Sequence, residues 1–181
     1  MMTEYVRVTE FNARIFIVHR LDRDTSGVMV FARSEKIKNE LQDAWSDANH
    51  RRIYTVIIEG TLFKKEGTIN ASIREAKSLK MHLAKPDEEG QDAITQFTII
   101  DENKRFSLVE ARLLTGRKNQ IRVHFESLGH PVAGDKKYGA ETNPLGRLCL
   151  HATTLSFKHP GTGKKITFTS PPPSGFKRLF R

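Results

Sequence analysis

Four stretches dominated by β-branched, aromatic and other apolar residues, 53–59, 93–100, 106–114 and 149–157, are each bounded by glycine or polar turn residues. Such side chains suit a pleated, half-buried surface better than a helix, where branching at Cβ crowds the preceding turn. A chain carrying this many has to build a sheet, which excludes a plain helical bundle. Residues 93–100 and 106–114 flank a polar connection at 101–105 and read as an antiparallel pair. Residues 149–157 and 165–169 are strands joined by the turn His159-Pro160-Gly161-Thr162-Gly163. Shorter strands are expected at 68–73 and 78–84, with a turn at 86–90. A buried strand is expected at 14–19, through Ile15, Phe16, Ile17 and Val18.

Two helices fit the remaining pattern. Ser34 is placed to cap a helix that carries Ile37, Leu41 and Trp45 along one stripe. The spacing of Ile121, Phe125 and Leu128 predicts a second over 118–128, with Gly129 as its C′ stop. Residues 1–13 read as a frayed helix, 129–146 as a long ordered loop, and Pro171-Pro172-Pro173 as the end of regular structure. The expected class is α+β, a mixed and largely antiparallel sheet with flanking helices, in one domain over residues 1–181.

No apolar run approaches the roughly 20 residues of a membrane helix, so no membrane association is expected. The start, Met1-Met2-Thr3-Glu4, lacks a charged-then-apolar leader, and the single cysteine, Cys149, excludes an intramolecular disulfide. These features point to a cytoplasmic protein. The net charge is +9, and it is unevenly spread: residues 1–90 hold 15 basic and 14 acidic groups, residues 91–181 hold 15 and 7. An excess of +8 in one half suits a polyanionic partner, nucleic acid first among them, although a merely solubilising surface fits the same count.

Three segments could carry chemistry. His19-Arg20-Leu21-Asp22-Arg23-Asp24-Thr25-Ser26-Gly27 sets two acids and two arginines within five residues, between apolar runs. A carboxylate there could be held ionised by a guanidinium and serve as nucleophile or base; a solvated turn explains the same residues. In Thr115-Gly116-Arg117-Lys118-Asn119-Gln120-Ile121-Arg122, a helix would put Lys118 and Arg122 on one face, a cradle for phosphates or an ordinary basic surface. Gly129-His130-Pro131-Val132-Ala133-Gly134-Asp135-Lys136-Lys137-Tyr138-Gly139 could grip a nucleic-acid backbone or simply connect two elements. Walker, dinucleotide and G-x-S-x-G patterns are absent, and His19, His124, His130, His151 and Cys149 do not fall at zinc spacings, so neither metal nor cofactor is expected.

Together, HRLDRDTSG at 19–27, RIYTVIIEG at 52–60, TGRKNQIRVH at 115–124, GHPVAGDKKYG at 129–139 and LHATTLSFKHP at 150–160 stand in the order found in RluA-type RNA pseudouridine synthases. The resemblance runs from about Arg14 to the C-terminus and implies the pseudouridine synthase catalytic-domain fold. It implies cofactor-free isomerisation of uridine in RNA: the N1–C1′ bond breaks, the uracil turns in the site, and C5 bonds to C1′. On this resemblance Asp22 is the essential catalytic group. Tyr54 packs on the uracil and bears on C5 deprotonation, and Arg122 ion-pairs with Asp22. Arg20 helps hold RNA with the target base extruded, and Arg23, Arg117, Lys118, Lys136 and Lys137 are expected on phosphates.

The chain departs from the common pattern in having Lys118-Asn119 where a Thr/Ser-His pair usually precedes QIR, which bears on RNA preference. Only 18 residues precede His19, so N-terminal strands of the catalytic domain and an S4 RNA-binding domain are expected to be missing. The expected partner is ribosomal RNA or tRNA, with no obligate protein partner. Two competing readings are a non-catalytic RNA-binding module left by truncation and an N-glycosidase using Asp22 to stabilise an oxocarbenium-like sugar.

Overall fold

The computed structural model describes residues 14–46 and 50–181; the frayed helix expected over 1–13 lies outside them. Three two-residue strands open the described chain: β1 (Phe16–Ile17), β2 (Ser26–Gly27) and β3 (Phe31–Ala32). Helix α1 (Glu35–Asp43) follows, then β4 (Arg51–Glu59), β5 (Glu66–Asn70), β6 (Ile73–Glu75), β7 (Met81–Leu83), β8 (Ile94–Glu102) and β9 (Phe106–Leu113). Helix α2 (Gln120–Ser127), β10 (Leu150–Lys158), β11 (Lys165–Thr169) and the short α3 (Ser174–Arg178) complete it. The α+β class holds.

The main sheet runs β11-β10-β4-β9-β8-β5, every pair antiparallel. The apolar run of β4 explains its central place: Val56, Ile57 and Ile58 are fully buried, which a strand achieves only when both faces are covered. Each such side chain contributes about 1.5–3 kcal/mol when removed from water. Ile121 and Phe125 of α2 join the core beside β4, and Phe125 meets Phe97 of β8 edge-on at 6.0 Å.

One parallel pairing interrupts the antiparallel rule. Strand β11 covers Thr154 to Lys158 of β10, and β2 pairs with His151 and Ala152 of the same strand. Gly27 makes this possible: its φ is +121°, and a Cβ there would stand 2.1 Å from the Ala152 carbonyl oxygen. The Val28 N–H then donates to that oxygen at 2.9 Å. The far end of the 19–27 segment is thereby stitched to the sheet.

The cap and stop signals are realised. Ser34 Oγ accepts from the Ile37 N–H at 3.2 Å, a cap of about 1 kcal/mol. Gly129, at φ +78°, closes α2 with its N–H on Glu126 O, and the His130 N–H bonds Phe125 O.

Four expectations need correction. The strand at 14–19 is regular only at Phe16–Ile17, and Ile17 is 61% exposed. Its hairpin with β3 lies at the periphery, where the cluster around Leu41, Val18 and Phe157 covers one side alone. The expected strand at 68–73 is two strands in different sheets, β5 and β6, broken at 71–72. Helix α2 begins at Gln120 rather than 118, because Asn119 is left-handed at φ 54°. Regular structure also resumes after the three prolines, where α3 drives Phe176 to complete burial.

Candidate active site

The loop between β1 and β2 carries Asp22 and is folded by its own neighbours. The Thr25 N–H closes a turn on the Asp22 carbonyl at 3.0 Å. His19 Nε2 accepts the Val30 N–H at 3.1 Å, and its ring stacks on Trp45 with centroids 4.7 Å apart. Burial, aided by the nearby Arg52 charge, pulls the His19 pKa down to about 4. This imidazole is therefore neutral and acts as a fixed acceptor that braces the loop between Val30 and Trp45, just beyond α1.

Arg122 comes from the first turn of α2. Gln120 seals that turn: its Oε1 accepts the Thr115 hydroxyl at 2.8 Å and the Arg117 N–H at 3.0 Å, and its Nε2 donates to Ile94 O and Thr95 Oγ1. Because Asn119 breaks the helical phase, Lys118 and Arg122 do not share a face as the sequence suggested. Lys118 turns to Glu75 of β6. Arg122 turns inward and grips Asp135 with two N–H groups, Nε to Oδ2 at 2.6 Å and Nη2 to Oδ1 at 2.8 Å. Its remaining Nη1 reaches Asp22 Oδ2 at 3.4 Å. The guanidinium lies 4.8 Å above the Tyr138 ring, whose hydroxyl donates to Asn119 Oδ1 at 3.0 Å. Burial works against the Arg122 charge, but hydrogen bonding and attraction from Asp135, then attraction from Asp22, outweigh it and raise its pKa.

Asp22 and Tyr54 border one cavity of about 390 Å³ with Arg20, Arg52, Trp45 and Arg117. Asp22 is the only acid in that lining among the described residues. Burial lifts the Tyr54 phenol to about 12, so it stands as a neutral hydroxyl at physiological pH. A second depression of about 670 Å³ adjoins the first, lined by Arg23, Lys136, Lys137 and Arg147, and Thr25 borders both. Arg147 Nη2 donates to Ser26 Oγ at 2.7 Å, which orders its floor. Of the residues singled out from sequence, Asp22, Tyr54, Arg20 and Arg117 meet at the first cavity, Arg23, Lys136 and Lys137 at the second. Arg122 lines the second as well and reaches toward the first only through its contact with Asp22, and Lys118 lines neither.

Sequence reasoning missed Asp135 as the principal partner of Arg122, and missed Arg52 and Trp45 as cavity walls. Asp135 sat in a segment whose glycines and lysines looked like a connector. Arg52 stands two residues before Tyr54, so the period-two rule could have put it on the same face of β4. Chemically, the cavity offers one carboxylate facing a guanidinium that is itself anchored, beside a neutral phenol and a neutral imidazole. Among the described residues, no cluster of three or more His, Cys, Asp or Glu could hold a metal ion.

The sequence model of a family described as RNA pseudouridylate synthase matches residues 3–127. An uncharacterized RNA pseudouridine synthase of Bacillus subtilis, YhcT, is 42% identical over 166 residues, covering 91% of this chain and 55% of that protein. A ribosomal large subunit pseudouridine synthase D of Xanthomonas campestris is 36% identical over 180 residues, covering 92% of this chain and 54% of that one. The chain thus spans little more than half the length of these curated relatives. A human RNA pseudouridylate synthase domain containing 1 structure superimposes with a TM-score of 0.80 at 24% identity, over 96% of this chain and 74% of that chain, a likeness of fold.

Proposed function

The chain belongs to the RNA pseudouridylate synthase family, and from that premise we propose that it is the catalytic domain of an enzyme that isomerises specific uridines in RNA to pseudouridine. The observation that carries this reading is the Asp22 carboxylate set 3.4 Å from Arg122 at the wall of a cavity that Tyr54 also borders. A uridine inside a stem cannot reach such a pocket and must be extruded, at a cost of a few kcal/mol in lost stacking. Tyr54 stacking on the base and Arg20 entering the vacated space offset that cost.

Asp22 is the reactive group in this reading, and Arg122 holds its carboxylate charged and oriented. As the N1–C1′ bond breaks and the C5–C1′ bond forms, C5 gives up its proton and N1 gains one, so no atom is added or lost. Tyr54 begins as a neutral phenol, so to take the C5 proton it would first lose its own, a change that the Arg52 charge nearby favours. The RNA backbone lies across the second depression, on Arg23, Lys136 and Lys137. Ribosomal RNA is the proposed substrate, in line with the name of the Xanthomonas relative, and tRNA the next. The cytoplasm, where both are found, is the proposed compartment.

The test is direct: incubate the protein with uridine-labelled ribosomal RNA and tRNA and digest to nucleosides. Pseudouridine is the expected product. Unchanged uridine would leave a binding module, and free uracil would mean an N-glycosidase.

A further inference from the structure

Among the described residues, Arg52 is a buried cation with no acid paired to it. It is 9% exposed and sits on β4 two residues before Tyr54, with its side chain at the wall of the same cavity. Its Nη2 donates to Leu114 O at 3.2 Å, its Nε is buried with no hydrogen-bond partner, and among the described residues it forms no ion pair. Taking a guanidinium out of water without a counter-charge is expensive, so its retention there calls for something anionic to arrive. Gly116 locates the guanidinium: both residues line this cavity. A Cβ on Gly116 would lie 2.5 Å from Arg52 Nη1, although its backbone is outside the left-handed region that demands glycine. The guanidinium thus packs directly over Gly116, and a larger residue there would push its tip aside.

We propose that Arg52 contacts the extruded nucleotide and holds the negative charge of one of its oxygens. This rests on the isomerase reading. When the N1–C1′ bond breaks with its electron pair on the base, the uracil carries negative charge spread from N1 to its two carbonyl oxygens, and C1′ becomes electron-poor. The pair is spent again when C5 bonds to C1′. Asp22 answers the charge on the sugar side, and Arg52, which lines the same cavity, answers it on the base side. A donor fixed in advance at the place where charge develops is the arrangement that stabilises a transition state most effectively. A phosphodiester oxygen of the same nucleotide presents the same chemistry, and kinetics separates the two.

The experiment compares wild type, Arg52→Met and Arg52→Lys, with rates expressed per folded molecule. Arg52→Met is expected to lower kcat about 100-fold while KM for RNA stays within about threefold, and Arg52→Lys to recover part of the loss. A raised KM at unchanged kcat would assign the contact to the phosphodiester instead. Unchanged kcat and KM would show that Arg52 merely packs the sheet, and would overturn the proposal. Trp45 is the only tryptophan of the chain and lines the cavity, so its emission reports binding of uridine 5′-monophosphate without any turnover. Should wild type make no pseudouridine, the isomerase reading fails, and that titration still decides the role of Arg52. Weaker nucleotide binding by Arg52→Met sustains it, and equal binding refutes it.

Discussion

Asp22 keeps 20% of its side chain open to the cavity, while its partner Arg122 is 10% exposed and Asp135 behind them is 2% exposed. Solvent access thus falls from Asp22 to the groups that hold it. Asp22→Asn preserves shape and the acceptor toward Arg122 but removes the charge. Turnover should drop by at least about 100-fold, while RNA affinity in a filter-binding assay stays near wild type. Retained turnover would remove Asp22 from the mechanism. Asp22 and Arg122 are 100 residues apart, and no local pattern connects them; only the joint resemblance of their two segments did so in advance. Asp135 was unreadable for a physical reason. A carboxylate among turn formers is ordinarily solvated, and its burial depends on a helix that arrives from elsewhere in the chain.

At the scale of elements, the loop holding Asp22 is tied at two places that can be tested separately. Gly27→Ala would place a methyl group 2.1 Å from a backbone oxygen and force an L-residue to φ +121°. The β2–β10 pairing should break, costing about 3 kcal/mol in urea denaturation together with most of the activity. A stable, active Gly27→Ala protein would show the stitch to be dispensable. The other tie is His19, neutral and stacked on Trp45. Its pKa is depressed from 6.5 to about 4, so between those values the unfolded chain takes up a proton that the folded one excludes. Its contribution is complete above about pH 6.5 and is lost as the pH falls toward 4, up to about 3 kcal/mol. The lowered His124 and His151 values act with the same sign. Thermal midpoints should therefore decline as pH falls from 7 to 4.5, and His19→Gln should flatten the decline; parallel curves for the two proteins would contradict this. The long strands β4, β8, β9 and β10 were legible because branching at Cβ acts locally, whereas the short ones at 14–19 and 68–73 were not, since tertiary pairing sets their ends. The start of α2 was not, since a left-handed Asn119 is chosen by its bond to Tyr138, 19 residues away.

Over the whole molecule, the charge surplus of residues 91–181 resolves into particular places. Lys136, Lys137 and Arg147 gather around one depression with Arg23, whereas Lys118 is engaged by Glu75. With four to six phosphates neutralised, RNA affinity should fall with salt on a log–log slope of roughly −3 to −5. A flat response between 50 and 200 mM salt, a range of about fourfold, would leave the surplus without a nucleic-acid role. The sum of charges was plain from composition, but not its distribution, which depends on which lysines find an acid across the fold. Thr25 lines both depressions and is their shared border. On the proposed reading, a polynucleotide lying across both hollows would have to bend at Thr25, so uridines at hinges, in hairpin tips and beside mismatches, where a bend already exists, would be modified faster than those inside a continuous stem.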